Sequence, residues 1–424
     1  MARRGLRGAL PIQRRYHVLL ALRFVPTGLT ITVFVLLLRE RGLTLAEIGI
    51  GTAAQGLVML FLELPSGGLA DALGRKPVLV LAAAFSIAAS TLLLAARSVL
   101  VLAIVCALQG VFRALDSGPL QAWFTDARLA ADPDTEVERD LARADVVIGA
   151  SIAAGALLGG LIVRVDGFFG VDPLVAPIVA AVAIQVLWLL TLLAMMDESR
   201  AGRGWAAARR SVAAVPRVVG EAVTLIRASR LLTALVVGEL LWGFGMVAFE
   251  TLLPPRLAEV GGGVDDAASL LGPAVAGAWV LSAVGACAAP GLVRRFGSGW
   301  AGFGLRLGHG ATVVVMGLAA GPAGLILAYF ATYWVHGATA PVHYGMVHRA
   351  VESSHRATVV SANSLTCQVG GAVSGIVLGA LADATSTATA MYAGAAVLAA
   401  AAPLYLAGRD TAAVSHEEPV PLHL

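Results

Sequence analysis

From residue 16 to residue 407 the chain runs in apolar blocks of roughly twenty residues, each closed by a short polar interval. A helix needs about 20 apolar residues to cross a hydrocarbon core of about 30 Å. The blocks predict spans over 16–38, 45–65, 77–96, 99–122, 144–163 and 172–196, then 231–253, 269–290, 300–320, 323–346, 358–381 and 387–407. The runs are continuous rather than alternating, which argues against a membrane barrel. The expectation is an all-α integral membrane protein with twelve transmembrane helices. The N-terminal MARRGLRGALPIQRRYHVLL shares only its charge with a secretory signal, because its apolar run is too long and leads into another span. It reads as a retained first helix.

Composition agrees. Of 424 residues 58% are hydrophobic and 13% charged, and mean hydropathy is +0.83. Soluble proteins carry about 25% charged residues. A net charge of +3 would suit a nucleic-acid partner, but the placement of the charges accounts for it otherwise. With the N-terminus inside, 22 of the 30 basic residues fall on the cytoplasmic side and five on the other, with Arg23, Arg113 and Arg306 inside spans. By the positive-inside rule both termini are cytoplasmic, in a multi-pass protein of the plasma (inner) membrane. No nucleic acid is implied. Cys106, Cys287 and Cys367 are isolated in apolar runs, so no metal or disulfide pattern is present.

The longest polar stretch divides the chain into a six-span bundle (1–196), a cytoplasmic linker (197–230), a second six-span bundle (231–407) and a polar, disordered tail (408–424). Within the linker Val215, Val218, Val219, Ala222, Leu225 and Ile226 recur at helical spacing opposite Arg217 and Arg227. This predicts a basic amphipathic helix on the inner membrane surface, with a flexible linker as the alternative. The bundles echo each other. Gly68, Leu69, Leu73 and Gly74 match Gly291, Leu292, Phe296 and Gly297 at an offset of 223, and Gly155, Gly159 and Leu161 match Gly375, Gly379 and Leu381 at 220.

GGLADALGRKP, between spans two and three, resembles the G-x-L-A-D-x-x-G-R-K/R loop of the major facilitator superfamily, and the resemblance covers essentially the whole chain. It implies two pseudo-symmetric six-helix bundles around a central cavity and alternating access. It also implies a conformational latch of Gly67, Gly68, Asp71, Gly74, Arg75 and Lys76, with Asp71 accepting from the N-terminus of span eleven. The Arg that usually follows the aspartate is Ala72, and in the second copy Asp71 becomes Arg294 and Arg75 becomes Ser298.

Charges inside a membrane are costly and point to function. Arg113 and Asp116 lie three apart on span four, where they can pair. They are the leading proton-coupling candidates, with a structural pair as the alternative; Glu239 is a further coupling candidate. Span four also resembles the Arg-x-x-Gln-Gly pattern of drug:proton antiporters at Gln109 and Gly110, but Cys106 stands at the arginine position. The glycines of GASIAAGALLGGL (149–161) resemble the exporters' span-five motif without its proline. In the family, spans one, four, seven and ten line the cavity. That favours Arg23, Gln109, Arg113, Asp116, Trp242, Glu239, Tyr333 and His336 over Glu63 and His309, although a satisfied packing role is the expectation for each histidine taken singly. Glu250 falls near the outer face.

The resulting expectation is not an enzyme and needs no cofactor or metal. It is a monomeric carrier that exports a small amphipathic molecule in exchange for protons. Proton-coupled import and a non-transporting receptor or scaffold are the alternatives.

Overall fold

The computed structural model describes residues 11–132, 135–165, 170–197, 205–352 and 355–407. The tail expected to be disordered lies outside the described residues. Ten helices among those described are long and apolar enough to cross a membrane. One of them, Val264–Leu318, has 55 residues and breaks at Gly297, so it supplies two spans. Pro322–Ala350 adds another, its 29 residues reaching about 43 Å at the helical rise. The twelve expected spans are therefore present.

Several spans break where the apolar pattern runs on. Span one is Ile12–Ile31 followed by Phe34–Glu40, and Thr32 Oγ1 donates to Leu29 O at 2.8 Å beside the break. Span four ends as a first helix at Asp116 and resumes at Pro119, after Gly118 at φ +98°. Proline suits a first helical position because it has no N–H to leave unpaired. Span seven likewise divides into Arg230–Glu250 and Leu253–Gly261, with Pro254 and Pro255 opening the second piece.

The internal repeat is written into the backbone. Gly74 (φ +97°, ψ 152°) separates spans two and three, and Gly297 (φ +76°, ψ 156°) separates spans eight and nine. Both occupy conformations that residues with a Cβ avoid. The same offset of 223 relates Gly49 and Gly272. A Cβ on Gly49 of span two would lie 2.1 Å from Gly375 O of span eleven, and one on Gly272 of span eight would lie 2.7 Å from Ala156 O of span five. Each first-half span thus meets a second-half span backbone to backbone, twice over, in related places.

Those approaches sit at the end of the bundle bearing the 41–44 turn, here the distal end. The opposite end carries the connection between spans six and seven and is the linker end. One buried apolar cluster at the distal end draws on both sets of six spans, from Val33 and Leu45 to Leu257, Leu271 and Leu378. Toward the linker end the apolar core splits. One cluster around Tyr16, Phe124 and Trp188 belongs to the first six spans, and another around Leu235, Val342 and Tyr405 belongs to the last six. The molecule is closed distally and divided toward the linker.

The connection itself is helical over Trp205–Ala228 and packs on spans two, seven and eleven. Ala222 is buried on its apolar face while Arg217 and Arg227 are exposed, as the spacing predicts. Val219 and Val223, however, remain exposed, and the side chains of Val215 and Val218 lie outside the described residues.

Candidate functional site: the central cavity

A cavity of about 520 Å³ lies beneath the shared distal core. Its lining comes from spans one (Arg23, Phe24, Thr27, Phe34), four (Cys106, Gln109, Phe112, Arg113), seven (Glu250, Pro254) and ten (Tyr329, Tyr333), joined by Gln55, Ser90, Gln185 and Trp279. The volume falls within the usual range for a small-molecule site, and the mixture of aromatic walls with a few polar groups is typical of one. Arg23, Gln109, Arg113 and Tyr333 line it as expected. Asp116, Glu239, Trp242 and His336 do not.

The pairing expected within span four is absent. Asp116 instead accepts from Arg23 Nε of span one at 2.7 Å, with both side chains largely buried. The Arg23 guanidinium also lies 4.1 Å from the Phe112 ring centroid and 4.7 Å from that of Phe24, which adds cation–π attraction. Helical spacing brings Arg113 and Asp116 to adjacent positions, but the carboxylate accepts from the guanidinium of span one instead. Arg113 is left without a hydrogen bond or ion pair among the described residues, and the surface it exposes belongs to the cavity.

Glu250 is a cavity residue that the sequence reading placed near the outer face and did not count among the cavity candidates. It lines the cavity from span seven, and Tyr333 Oη of span ten donates to its Oε1 at 3.1 Å. Tyr333 packs edge-on against Tyr329, Phe249 and Trp279 with centroids 4.8, 5.9 and 6.3 Å away. A signal was available in the sequence: Glu250 follows Glu239 by eleven residues, three helical turns, so both acids share a face of span seven.

Glu239 anchors a separate polar centre deep in the last six spans. Its Oε2 lies 3.4 Å from His343 Nε2 of span ten and 3.7 Å from Arg306 Nη2 of span nine. Arg306, only 1% exposed, donates to Tyr405 Oη from Nη2 at 2.8 Å and from Nε at 3.1 Å. His343 Nδ1 meets the same hydroxyl at 2.8 Å, and Asn363 of span eleven contacts His343 Nε2. Trp242 stacks on His336 at 5.5 Å and lies 5.9 Å from the Arg306 guanidinium, which explains why neither faces the cavity. His309 is wholly buried and its ring packs against Phe249 and His336, but neither ring nitrogen has a hydrogen-bond partner among the described residues.

The model of the Major Facilitator Superfamily matches residues 17–335, three quarters of the chain. The chain belongs to the major facilitator superfamily. It is therefore a secondary transporter with a small-molecule substrate, set in a membrane, and not an enzyme. No curated protein matches its sequence. Its fold is that of the nucleoside transporter NupG (D323A mutant; TM-score 0.74, 14% identity, 94% of this chain and 99% of that chain). It is equally similar to a bacterial homolog of the human lysosomal transporter Spinster in an inward-facing and occupied conformation (TM-score 0.74, 15% identity, 96% and 98%). A peptide transporter, POT, in complex with sulfate follows (TM-score 0.71, 14% identity, 94% of each chain).

In this superfamily member the loop between spans two and three ties down the first six spans. Arg75 pairs with Asp126 at the end of span four at 2.9 Å. Lys76 Nζ donates to Leu193 O at 2.9 Å and Met196 O at 2.7 Å, at the C-terminal end of span six where a cation is favoured. Gly68 lies in the last turns of span two, and Gly74 supplies the break. Gly67 lies in the same helix, and the side chain of Asp71 lies outside the described residues.

Proposed function

We propose that this transporter exports a small amphipathic molecule from the cytoplasm in exchange for protons. The observation that carries the reading is the cavity. Aromatic walls from both sets of spans enclose Arg113, which makes no hydrogen bond or ion pair among the described residues, and Glu250, which accepts from Tyr333. Such a lining suits a molecule with an apolar body and a polar end. The glycine-rich run of span five, which resembles the exporters' motif, favours export.

With the basic residues placed on the cytoplasmic side, the linker end is cytoplasmic and the distal closure faces outward. The state is then inward-open, ready to load from the cytoplasm. Coupling is assigned to Asp116, because its partner Arg23 lines the cavity and its environment changes when the halves rock. Glu239, enclosed by Arg306 and His343 away from the cavity, serves the packing of the last six spans. Arg75, Lys76 and the loop glycines position the latch, with Asp71 as its cross-bundle acceptor.

The test is transport by inside-out vesicles holding the protein, with an acid interior and amphipathic compounds supplied outside. Export predicts accumulation that stops when the proton gradient is collapsed. Accumulation that instead requires an acid exterior identifies an importer and overturns the proposal.

A further inference from the structure

We infer that the cavity is built for a zwitterion, a molecule carrying an anionic group and an ammonium or similar donor on one apolar frame. This inference rests on the carrier reading above and names the substrate class of that cavity. Arg113 of span four supplies a guanidinium from the first six spans, and Glu250 of span seven a carboxylate from the last six. Both line the same cavity, and among the described residues no ion pair joins them. Asp116 also acts on Arg113 electrostatically, but its carboxylate accepts from Arg23 Nε at 2.7 Å and makes no ion pair with Arg113 among the described residues. Glu63 lies within reach of Arg113 but does not line the cavity.

The charge balance selects the ligand. While the cavity is open, water solvates both groups. When the halves close around a substrate the water leaves, and any charge left without a partner is heavily penalised. An anion would answer Arg113 and leave Glu250 alone; a cation would do the reverse. A molecule bearing both groups satisfies both walls at once through charge-assisted hydrogen bonds. Gln109, one turn before Arg113, and the Tyr333 hydroxyl on Glu250 add directional partners, while Trp279 and Phe34 face the remaining apolar frame. The opposed charges belong to different halves, so the same ligand draws the halves together.

The experiment measures binding to the purified full chain by ligand-induced thermal stabilisation. The probes are four charge forms of phenylalanine, tryptophan and leucine: the free amino acid, its amide, its N-acetyl form and its N-acetyl amide. The expected result is a free amino acid bound at least about tenfold more tightly than the three other forms of the same frame. Arg113→Gln should erase the preference for the zwitterion over the amide cation, and Glu250→Gln the preference over the N-acetyl anion. Arg113→Lys, monodisperse on size exclusion, should keep most of the preference and so separates misfolding from a lost contact. Equal or tighter binding of a singly charged or neutral form, or no binding of any free amino acid, overturns the inference. Exchange of the bound probe in proteoliposomes separates the two readings. A cation that binds and exchanges removes the zwitterion site and leaves the carrier; a zwitterion that binds selectively without exchange supports the site and removes the carrier.

Discussion

Arg23 and Asp116 meet at 2.7 Å between spans one and four, and that contact leaves Arg113 open to the cavity. Had Asp116 paired along its own helix, the cavity would have lost its free cation. Removing one partner of a largely buried pair strands the other charge, at about 3–5 kcal/mol, whereas removing both avoids that penalty. Arg23→Gln and Asp116→Asn should therefore each lower the thermal unfolding midpoint more than the double variant does. Strictly additive losses in the double variant would show that the pair has no energetic coupling.

The distal closure has a cross-half latch of its own. Asp383 near the end of span eleven accepts from the backbone N–H groups of Leu45 at 3.0 Å and Ala46 at 2.8 Å, the first turn of span two, and lies 3.5 Å from Arg39. A carboxylate at a helix N-terminus contributes about 0.3–2 kcal/mol. Asp383→Asn should shift the resting population several-fold away from the distally closed state. Spin labels on the distal ends of spans two and eleven would register longer separations; an unchanged distance distribution would remove Asp383 as a latch.

Two arginines that break the positive-inside pattern act as distal staples. Arg41 donates to the carbonyls of Leu93, Leu94 and Ala96 at 2.8–2.9 Å, where span three ends. Arg256, in the short helix that ends span seven, donates to Gly317 O at 3.1 Å and Ala319 O at 3.0 Å, where span nine ends. Each guanidinium satisfies carbonyls that a helix end leaves without partners. Arg41→Ala should cost about 1.5–3 kcal/mol, the worth of hydrogen bonds to a charged group. Arg41→Lys should recover little of it, because an ammonium lacks the planar fork. Thermal unfolding of the three proteins, read by tryptophan fluorescence, checks the order.

Membrane proteins make some layers of this structure legible and hide others. The spans could be read because each must satisfy its backbone internally and present apolar side chains to lipid, which fixes its length and composition. The repeat could be read at Gly74 and Gly297 because only glycine tolerates their positive φ. The partner of Asp116 could not, because helical spacing reports neighbours on one helix, while the choice of Arg23 depends on how spans one and four are rotated. Glu250 was not counted as a cavity residue for a related reason: counting residues gives depth along span seven, but not that the cavity reaches nearly to its distal end. The centre of Glu239, Arg306, His343 and Tyr405 draws on four separate spans, whose meeting no local pattern announces.

Coupling gives the most demanding prediction. An antiporter needs a group that carries a proton in one state and releases it in the other, and that group must sense the movement. On the antiport proposed above, Asp116 is the acid placed to sense that movement. Its counter-ion Arg23 lines the cavity, so rocking of the halves changes the access of water to the pair. Glu239 is 6% exposed, and its partners Arg306 and His343 are themselves fastened to Tyr405, which holds the acid's surroundings constant. Asp116→Asn should abolish gradient-driven accumulation while substrate exchange at equilibrium survives, because the lesion removes the proton rather than the cavity. Glu239→Gln should keep measurable coupling and show its defect as a lower unfolding temperature. Both variants, assayed side by side in proteoliposomes with and without a pH gradient, discriminate the two acids. Accumulation by Asp116→Asn with ordinary pH dependence would make the Arg23 pair purely structural and move coupling to another acid, Glu239 first.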